Sequence, residues 1–283
     1  MMRINDASDG QRVRIPLLPN DDSGGRLNTR ISDTFSTAEL KQFEADGYVV
    51  ARGLAGRDEC AAIKAVAQRH LDAVIAPVEY ESDTQYPGAP MSHDAPGGRT
   101  VRRLLQACAR DPVFARWGTS PAVSLRVKQL LGPRVEMSQA HHNCVMTKNP
   151  SYSSITSWHQ DIRYWSFARP ELISAWLALG HEYFENGCLL VLPGSHQMEF
   201  KPEQLDESLF LRPDVEQNKP LIRTQRRVEL DLGDVLFFHC RLFHAAGHNQ
   251  TADTKFSLVF SYHAADNRPL AGTRSASLPD IPL

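Results

Sequence analysis

A histidine and an aspartate two residues apart lie among aromatic residues in the segment WHQDIRYW, residues 158–165. A buried polar pair in apolar surroundings costs free energy unless it finds partners. If the segment is a strand, His159 and Asp161 project from one face, about 7 Å apart along the backbone. With a third ligand from elsewhere they would complete a facial triad of two histidines and a carboxylate, which binds Fe(II) and leaves positions open for substrate and oxygen. A hydrogen-bonded pair at the edge of a loop is the alternative.

The third ligand is expected in the later segment GDVLFFHCRLFHAAGHNQT, which contains His239, His244 and His248. A Gly-Asp turn followed by an apolar run predicts the start of a strand. His244 lies at the far end of that run, before small residues that leave room for a ligand. His239 lies deeper in the run, which favours a core position, and His248 lies in the following turn, which favours exposure. Position therefore favours His244 and leaves the other two open.

The segment KFSLVFSYH alternates between polar and apolar residues and predicts another strand. Alternation places Lys255 and Ser257 on one face and the large apolar residues on the other. A lysine and a serine that point the same way can hold a carboxylate, because the cation supplies charge and the hydroxyl a directed hydrogen bond. The alternative is a solvated sheet face with an ordinary lysine.

Helical signals dominate the first half of the chain. Ser36 and Glu39 form a capping box that predicts a helix through Phe43, and a second helix is expected from Asp58. The pairs Asp-Pro and Ser-Pro at residues 111–112 and 120–121 predict two more helix starts. GYVVARGL predicts a strand. Residues 76–100, rich in Pro, Gly and Asp, are expected to form a long functional loop.

After residue 134 the pattern changes to short strand-like runs separated by turns. Helices first and strands later predict an α+β protein whose strands form a sandwich or jelly roll. Residues 1–30 are polar and turn-rich and are expected to be a flexible segment. Residues 31–283 are expected to form a single domain.

Composition narrows the possible partners. The 283 residues are 42% hydrophobic and carry a net charge of -2, so there is no basic surplus for a nucleic acid. No apolar run reaches the length of a membrane helix, and the N-terminus lacks an apolar signal core, so we expect a cytoplasmic protein without a membrane partner. The five cysteines are scattered without C-x-x-C spacing, which disfavours zinc fingers and disulfides.

Taken together, His159-x-Asp161, His244 and Lys255-x-Ser257 resemble the site of the Fe(II)- and 2-oxoglutarate-dependent oxygenases, and more narrowly that of the phytanoyl-CoA dioxygenase family. From about residue 34 onwards, STAELKQFEADGYVVARGL, SWHQD, ISAWLALGHEYFENGCLLVLPGSH and GDVLFFHCRLFHAAGHNQT are similar to the family's motifs in order. The resemblance implies a cupin-like double-stranded β-helix, or jelly roll, with N-terminal helices packed on it. It also implies a reaction in which O2 and 2-oxoglutarate oxidise a small-molecule substrate and 2-oxoglutarate is decarboxylated to succinate.

The family also implies a role for each matching residue. Lys255 stands eleven residues after the distal histidine, where the family usually has an arginine that binds the far carboxylate of 2-oxoglutarate. Lysine cannot make the bidentate fork of an arginine, so co-substrate affinity is in question. Ala246 replaces a serine found in some relatives. The implied iron ligands are His159, Asp161 and His244, and the implied co-substrate residues are Lys255, Ser257, Trp176, Gln160 and Lys148.

The carboxylate at Asp161 favours hydroxylation over halogenation, because halogenating relatives have a small residue there. A coenzyme A ester would call for a dedicated basic surface, so a small metabolite or natural-product intermediate is the preferred substrate. Trp158, Tyr164, Trp165 and Phe167 are expected to wall the site. The candidate substrate-binding residues are Arg102, Arg103, Gln139, His142 and Trp165.

Two other functions fit part of the pattern. A non-catalytic jelly-roll protein that binds a metal or a small acid remains possible because of the lysine at position 255. A cupin dioxygenase that works without 2-oxoglutarate is the other, although cupins usually have His-x-His in place of His-x-Asp. Oxygen-dependent formation of succinate would distinguish a 2-oxoglutarate-dependent oxygenase from both of these alternatives.

Overall fold

The protein folds around two antiparallel β-sheets that pack against each other, with helices on the outer face of the larger one. The computed structural model describes residues 33–84 and 86–283, which belong to one compact unit. The segment predicted to be flexible, residues 1–30, lies outside the described residues. The predicted α+β fold with a jelly-roll core is confirmed.

The helices begin where the sequence places their caps. The capping box of Ser36 and Glu39 is formed, and the first helix continues past Phe43 until Gly47 ends it with a φ of 81°. The helices after Asp111 and Ser120 open with the expected prolines. Within the described ranges, no helix is long and apolar enough to cross a membrane. The α-helices are α1 (Thr37–Asp46), α2 (Arg57–Asp72), α3 (Ala107–Arg110), α4 (Pro112–Gly118), α5 (Pro121–Leu131) and α6 (Lys219–Ile222).

Twelve strands form the two sheets among the described residues. The strands are β1 (Tyr48–Ala51), β2 (Val78–Tyr80), β3 (Val101–Leu105), β4 (Val135–Lys148), β5 (Thr156–His159), β6 (Leu172–Ala178), β7 (Leu189–Val191), β8 (Arg226–Val228), β9 (Val235–His239), β10 (His244–Ala246), β11 (Lys255–Ala264) and β12 (Ile281–Pro282). The larger sheet has the order β1-β9-β6-β11-β4-β3-β2 with β12 also paired to β4, and the smaller one has the order β5-β10-β7-β8.

The long loop predicted over residues 76–100 is only partly irregular. It contains β2 and a 3-10 helix at Glu81–Asp83, and β2 pairs with β3 at the edge of the larger sheet. β2 is three residues long, too short for a period-two pattern to reveal it. Its pairing with another strand, and not its local sequence, determines its conformation.

Strand β11 lies between β4 and β6 and is buried along its whole length. The predicted alternation is confirmed. Phe256, Leu258 and Phe260 join the hydrophobic cluster formed with the helices. Val259 instead joins the cluster between the two sheets. A solvated face for this strand is therefore wrong, and Lys255 projects into the protein.

We expect Leu258→Ala to lower the free energy of unfolding by about 2–5 kcal/mol, because the side chain is fully buried and its removal leaves a cavity. Urea denaturation followed by circular dichroism measures the change. Leu125→Ala in α5 is the matched control, since Leu125 is 38% exposed, and it should change stability by less than about 0.5 kcal/mol. Equal effects of the two substitutions would contradict the position assigned to β11.

Candidate active site

Two strands of the smaller sheet bring the candidate metal ligands together. β5 ends at His159, β10 begins at His244, and the two residues face each other in the register of these antiparallel strands. Asp161 opens the 3-10 helix Asp161–Tyr164 that follows β5. The expectation that His159 and Asp161 share the face of one strand is therefore wrong, because the chain leaves the strand between them.

The three side chains converge on one point. The Nε2 atoms of His159 and His244 lie 3.7 Å and 3.6 Å from Oδ1 of Asp161. One ligand atom from each of the three residues lies within 4.8 Å of the other two. All three residues are buried. Such spacing fits three ligands on one side of a single ion, with other positions left for small molecules.

Hydrogen bonds to the backbone orient both imidazole rings. Nδ1 of His159 donates to the carbonyl of Ser157 at 2.8 Å, and Nδ1 of His244 donates to the carbonyl of Leu242 at 3.0 Å. These bonds leave the unprotonated Nε2 of each ring directed at Asp161. An outer hydrogen bond of this kind fixes the tautomer and orientation that a metal requires.

The carboxylate of Asp161 has an unused oxygen. Within the described part of the chain its Oδ2 accepts no hydrogen bond, and Nδ1 of His142 lies 3.5 Å from it. Burial by itself raises the pKa of Asp161, but the facing imidazoles outweigh it and the net pKa is lowered. Burial lowers the pKa of His159 well below its usual range. An ionised carboxylate beside the neutral imidazole of His159 is the protonation state that a divalent metal needs, so the donor set fits an Fe(II) ion.

The other two candidate histidines lie elsewhere. Nδ1 of His239 accepts from the backbone N–H of Arg241 at 3.1 Å. His248 donates to the carbonyl of Ser153. The structure therefore brings His244, the histidine that position favoured, to His159 and Asp161.

A cavity of about 650 Å³ opens from the three ligands between the sheets. Most residues expected to contact co-substrate or substrate line it, although Gln160 and Ser257 are not among the lining residues. The predicted residues that line it are Arg102, Arg103, Gln139, His142, Lys148, Trp165, Trp176 and Lys255.

Several predicted contact residues already have protein partners. The guanidinium of Arg102 donates to the hydroxyls of Ser154 at 2.7 Å and Thr156 at 2.9 Å. Nε of Arg103 lies 3.3 Å from a carboxylate oxygen of Glu79. These arginines therefore belong to a buried network at the wall of the cavity, and their contact with substrate stays a prediction.

The polar side chains predicted beside them are also engaged. Gln139 donates to the carbonyl of Pro279 at 2.6 Å. The side-chain amide of Gln160 donates to the carbonyl of Arg241. Nδ1 of His142 lies 3.1 Å from the hydroxyl of Ser174, and burial lowers the pKa of His142 to about 4. His142 is thus a neutral ring between the cavity and Asp161.

The aromatic wall differs in part from the expected one. Tyr164 and Trp165 line the cavity, but Trp158 and Phe167 are not among its lining residues, so the prediction is wrong for those two. Phe167 packs in the same hydrophobic cluster as Trp165, and Trp158 packs in another. Segments distant in the chain supply other aromatic residues to the cavity wall. The hydroxyl of Tyr86 is hydrogen bonded to that of Tyr164 at 2.7 Å, and the guanidinium of Arg163 lies 3.8 Å from the ring centre of Phe210. Only the folded chain brings these residues together.

Sequence analysis did not identify one buried acid at the site, Glu182, which lies just after β6. Its carboxylate accepts hydrogen bonds from Lys255 at 2.8 Å, Ser257 at 2.6 Å and Nε1 of Trp176 at 3.1 Å. These are three of the residues that the resemblance assigns to the co-substrate. The only sequence signal for Glu182 was an acidic residue between two apolar runs, which by itself indicates a surface turn.

Comparison with known proteins agrees with this fold and this donor set. A model of the family described as phytanoyl-CoA dioxygenase matches residues 43–257. The peroxisomal phytanoyl-CoA dioxygenase of Homo sapiens is 30% identical over 186 residues, which are 62% of this chain and 53% of that protein. The ectoine dioxygenase of Halomonas elongata is 24% identical over 276 residues, which are 90% of this chain and 75% of that protein.

Solved structures share the fold. The structure of EctD from S. alaskensis with bound Fe aligns with a TM-score of 0.69 at 22% identity, covering 87% of this chain and 82% of that one. The epimerase SnoN in complex with Fe3+, alpha ketoglutarate and nogalamycin RO aligns with a TM-score of 0.66 at 21% identity, covering 86% and 93%. The family model, the fold and the donor set together define an iron- and 2-oxoglutarate-dependent oxygenase. Within that class, the chain belongs to the phytanoyl-CoA dioxygenase family.

We expect His244→Ala and Asp161→Ala to lower Fe(II) affinity by more than about 100-fold. Loss of an outer partner alone costs about 10–100-fold, and these residues are proposed to contact the ion. Anaerobic equilibrium dialysis with Fe(II) measures the affinity. His248→Ala is the matched control and should bind iron like the wild type. Iron binding that survives in both His244→Ala and Asp161→Ala would rule out this site.

Proposed function

We propose that the protein hydroxylates a small metabolite or natural-product intermediate, with O2 as oxidant and 2-oxoglutarate converted to succinate and CO2. The observation that carries this proposal is the convergence of His159, Asp161 and His244 at the head of a cavity between the sheets. Family membership supports the same chemistry. When iron and the co-substrate are bound, they supply the means to insert one oxygen atom of O2 into a C–H bond while the other enters succinate.

His159, Asp161 and His244 hold the iron in this proposal. The backbone carbonyls behind the two imidazoles keep each Nε2 directed at the ion. Asp161 would contribute its carboxylate to the ion, whereas halogenating relatives have a small residue at this place in the sequence. Hydroxylation is therefore preferred over halogenation.

The co-substrate occupies the part of the cavity that Lys148 reaches. A buried cation there suits a small dicarboxylic acid. The primary substrate enters past Tyr164 and Trp165, whose rings exclude water from the reacting atoms. Arg103 and His142 are the predicted polar contacts on that side.

The substrate is proposed to be small. A cavity of about 650 Å³ lies within the range of about 300–1,000 Å³ that accommodates small ligands. The relatives named for ectoine and nogalamycin RO act on or bind molecules of that kind. A cytoplasmic location without nucleic-acid or membrane partners completes the proposal. The net charge of -2 leaves no basic surplus for a nucleic acid.

One observation favours a different function. The carboxylate of Glu182 engages Lys255, the cation that the family would offer to the co-substrate. A non-catalytic jelly-roll protein that binds a metal or a small acid is therefore the second candidate. It predicts iron binding without turnover of 2-oxoglutarate.

Anaerobic titration of the Fe(II) protein with 2-oxoglutarate tests the proposal first. We expect the weak visible charge-transfer band of a 2-oxo acid chelated to Fe(II), followed by succinate formation when oxygen is admitted. Asp161→Ala is the variant that should show neither. A wild-type protein that binds iron but forms no band would refute the proposal and favour the second candidate.

Screening candidate metabolites for faster succinate formation then identifies the primary substrate. The true substrate should raise the rate of succinate formation and yield a product heavier by one oxygen atom. A product that carries chlorine or bromine when halide is supplied would contradict the role proposed for Asp161.

A further inference from the structure

Two lysines stand side by side at the inner end of the cavity. Lys148 and Lys255 are directly opposite each other in the antiparallel pairing of β4 with β11, so their side chains leave the sheet on the same face. Both are buried, and both line the cavity. Like charges directly opposite each other destabilise a sheet unless something compensates them.

Glu182 compensates one of the two. The residue is fully buried, and its backbone N–H and carbonyl both pair with Leu230, at 2.7 Å and 3.0 Å. The backbone thereby fixes where its carboxylate points. Oε2 accepts from Lys255, while Oε1 accepts from both Ser257 and Trp176. A carboxylate of the chain itself thus fills the donor set that would receive the far carboxylate of 2-oxoglutarate.

Lys148 is left without such a partner. Its Nζ donates to the carbonyl of Ser154 at 2.8 Å, and no carboxylate of the described residues lies within ion-pair distance of it. Glu81 is the nearest candidate, but its carboxylate accepts from Ser154 and pairs with Arg102. Burial, with the nearby charges of Arg102 and Lys255, lowers the pKa of Lys148 to about 7.

The fold makes room for the stem of Lys148. A Cβ at Gly187 would lie 2.8 Å from Cδ and from Cε of the lysine. Gly187 also has a φ of 75°, which favours glycine. The lysine therefore crosses the glycine of the ENG motif to reach the cavity.

The basic residues around Lys148 each form an ion pair with a carboxylate. Arg102 pairs with Glu81 at 3.4 Å, and Lys255 pairs with Glu182 at 2.8 Å. Arg103 pairs with Glu79 at 3.3 Å. Arg102, Arg103 and Lys255 thus each have a carboxylate partner, whereas Lys148 beside them on the cavity wall has none among the described residues.

We propose that Glu182 is a built-in counter-ion that withdraws Lys255, Ser257 and Trp176 from co-substrate recognition, and that Lys148 receives the far carboxylate of the 2-oxo acid instead. This assignment rests on the proposed function, because it requires a 2-oxo acid in the cavity. Lys148 is then the residue that binds the far carboxylate. Glu182 determines which of the two lysines is free to bind it, because its own carboxylate pairs with Lys255. The lysine at position 255, where the family usually has arginine, acquires a structural reason: it neutralises a buried acid.

The double variant E182Q/K255M separates this assignment from direct recognition by Lys255. Glutamine keeps Oε1, which accepts from Ser257 and Trp176, and methionine removes the cation that faced Oε2. Removing both partners of a buried ion pair leaves no unpaired charge, so the variant should fold. Its affinity for 2-oxoglutarate, read from the anaerobic charge-transfer band, should stay within about threefold of wild type.

K148M tests the other half of the assignment. We expect 2-oxoglutarate to bind about 10–100-fold more weakly, as for the loss of one hydrogen bond to a charged group. Binding of 2-oxobutanoate, which lacks the far carboxylate, should not change. This comparison distinguishes carboxylate recognition from general damage, which would weaken both acids alike. K41M, on the exposed face of α1, is the matched control and should bind both acids like wild type.

Three results would overturn the assignment. The first is a K148M variant that keeps the wild-type preference for 2-oxoglutarate over 2-oxobutanoate. The second is a folded E182Q/K255M variant that loses that preference, which would return the role to Lys255. The third is a wild-type Fe(II) protein that forms no band with either acid, and it alone would also overturn the proposed function. If E182Q/K255M does not fold, the K148M comparison decides by itself.

Discussion

The buried carboxylate of Asp161 is the constraint on which the rest of the site depends. A carboxylate removed from water is costly unless opposite charge or hydrogen bonds compensate it. Here one oxygen faces the Nε2 atoms of His159 and His244, and the other accepts no hydrogen bond within the described residues. The smaller sheet supplies both histidines from adjacent strands. The pairing of these strands therefore determines where a metal ion can bind beside the carboxylate.

The walls of the cavity also carry buried basic side chains. Carboxylates of the chain pair with three of them, since Glu79, Glu81 and Glu182 lie beside Arg103, Arg102 and Lys255. Such pairs contribute little net stability after desolvation, but breaking one of them is costly. They therefore hold the wall of the cavity in one arrangement, and a small anion would meet a pre-organised surface.

Local signals account for the parts of the fold that the sequence predicted correctly. A capping box at Ser36 and prolines at the first turns of α4 and α5 act within a few residues, so they can be read from the chain. The alternation in β11 is also local. The strand β2 has no comparable signal, because its conformation depends on a partner more than twenty residues away.

The sequence by itself determined the residue types of the metal site and the order in which they follow, because coordination chemistry restricts the ligands to a few side chains. Position in the sequence favoured His244 as the third ligand, and tertiary structure brought it to His159, because the pairing of adjacent strands joins residues that are distant in the chain. Tertiary structure also decided that Glu182 lies buried against Lys255. Charge pairing depends on distance in space, and Glu182 and Lys255 lie 73 residues apart in the chain.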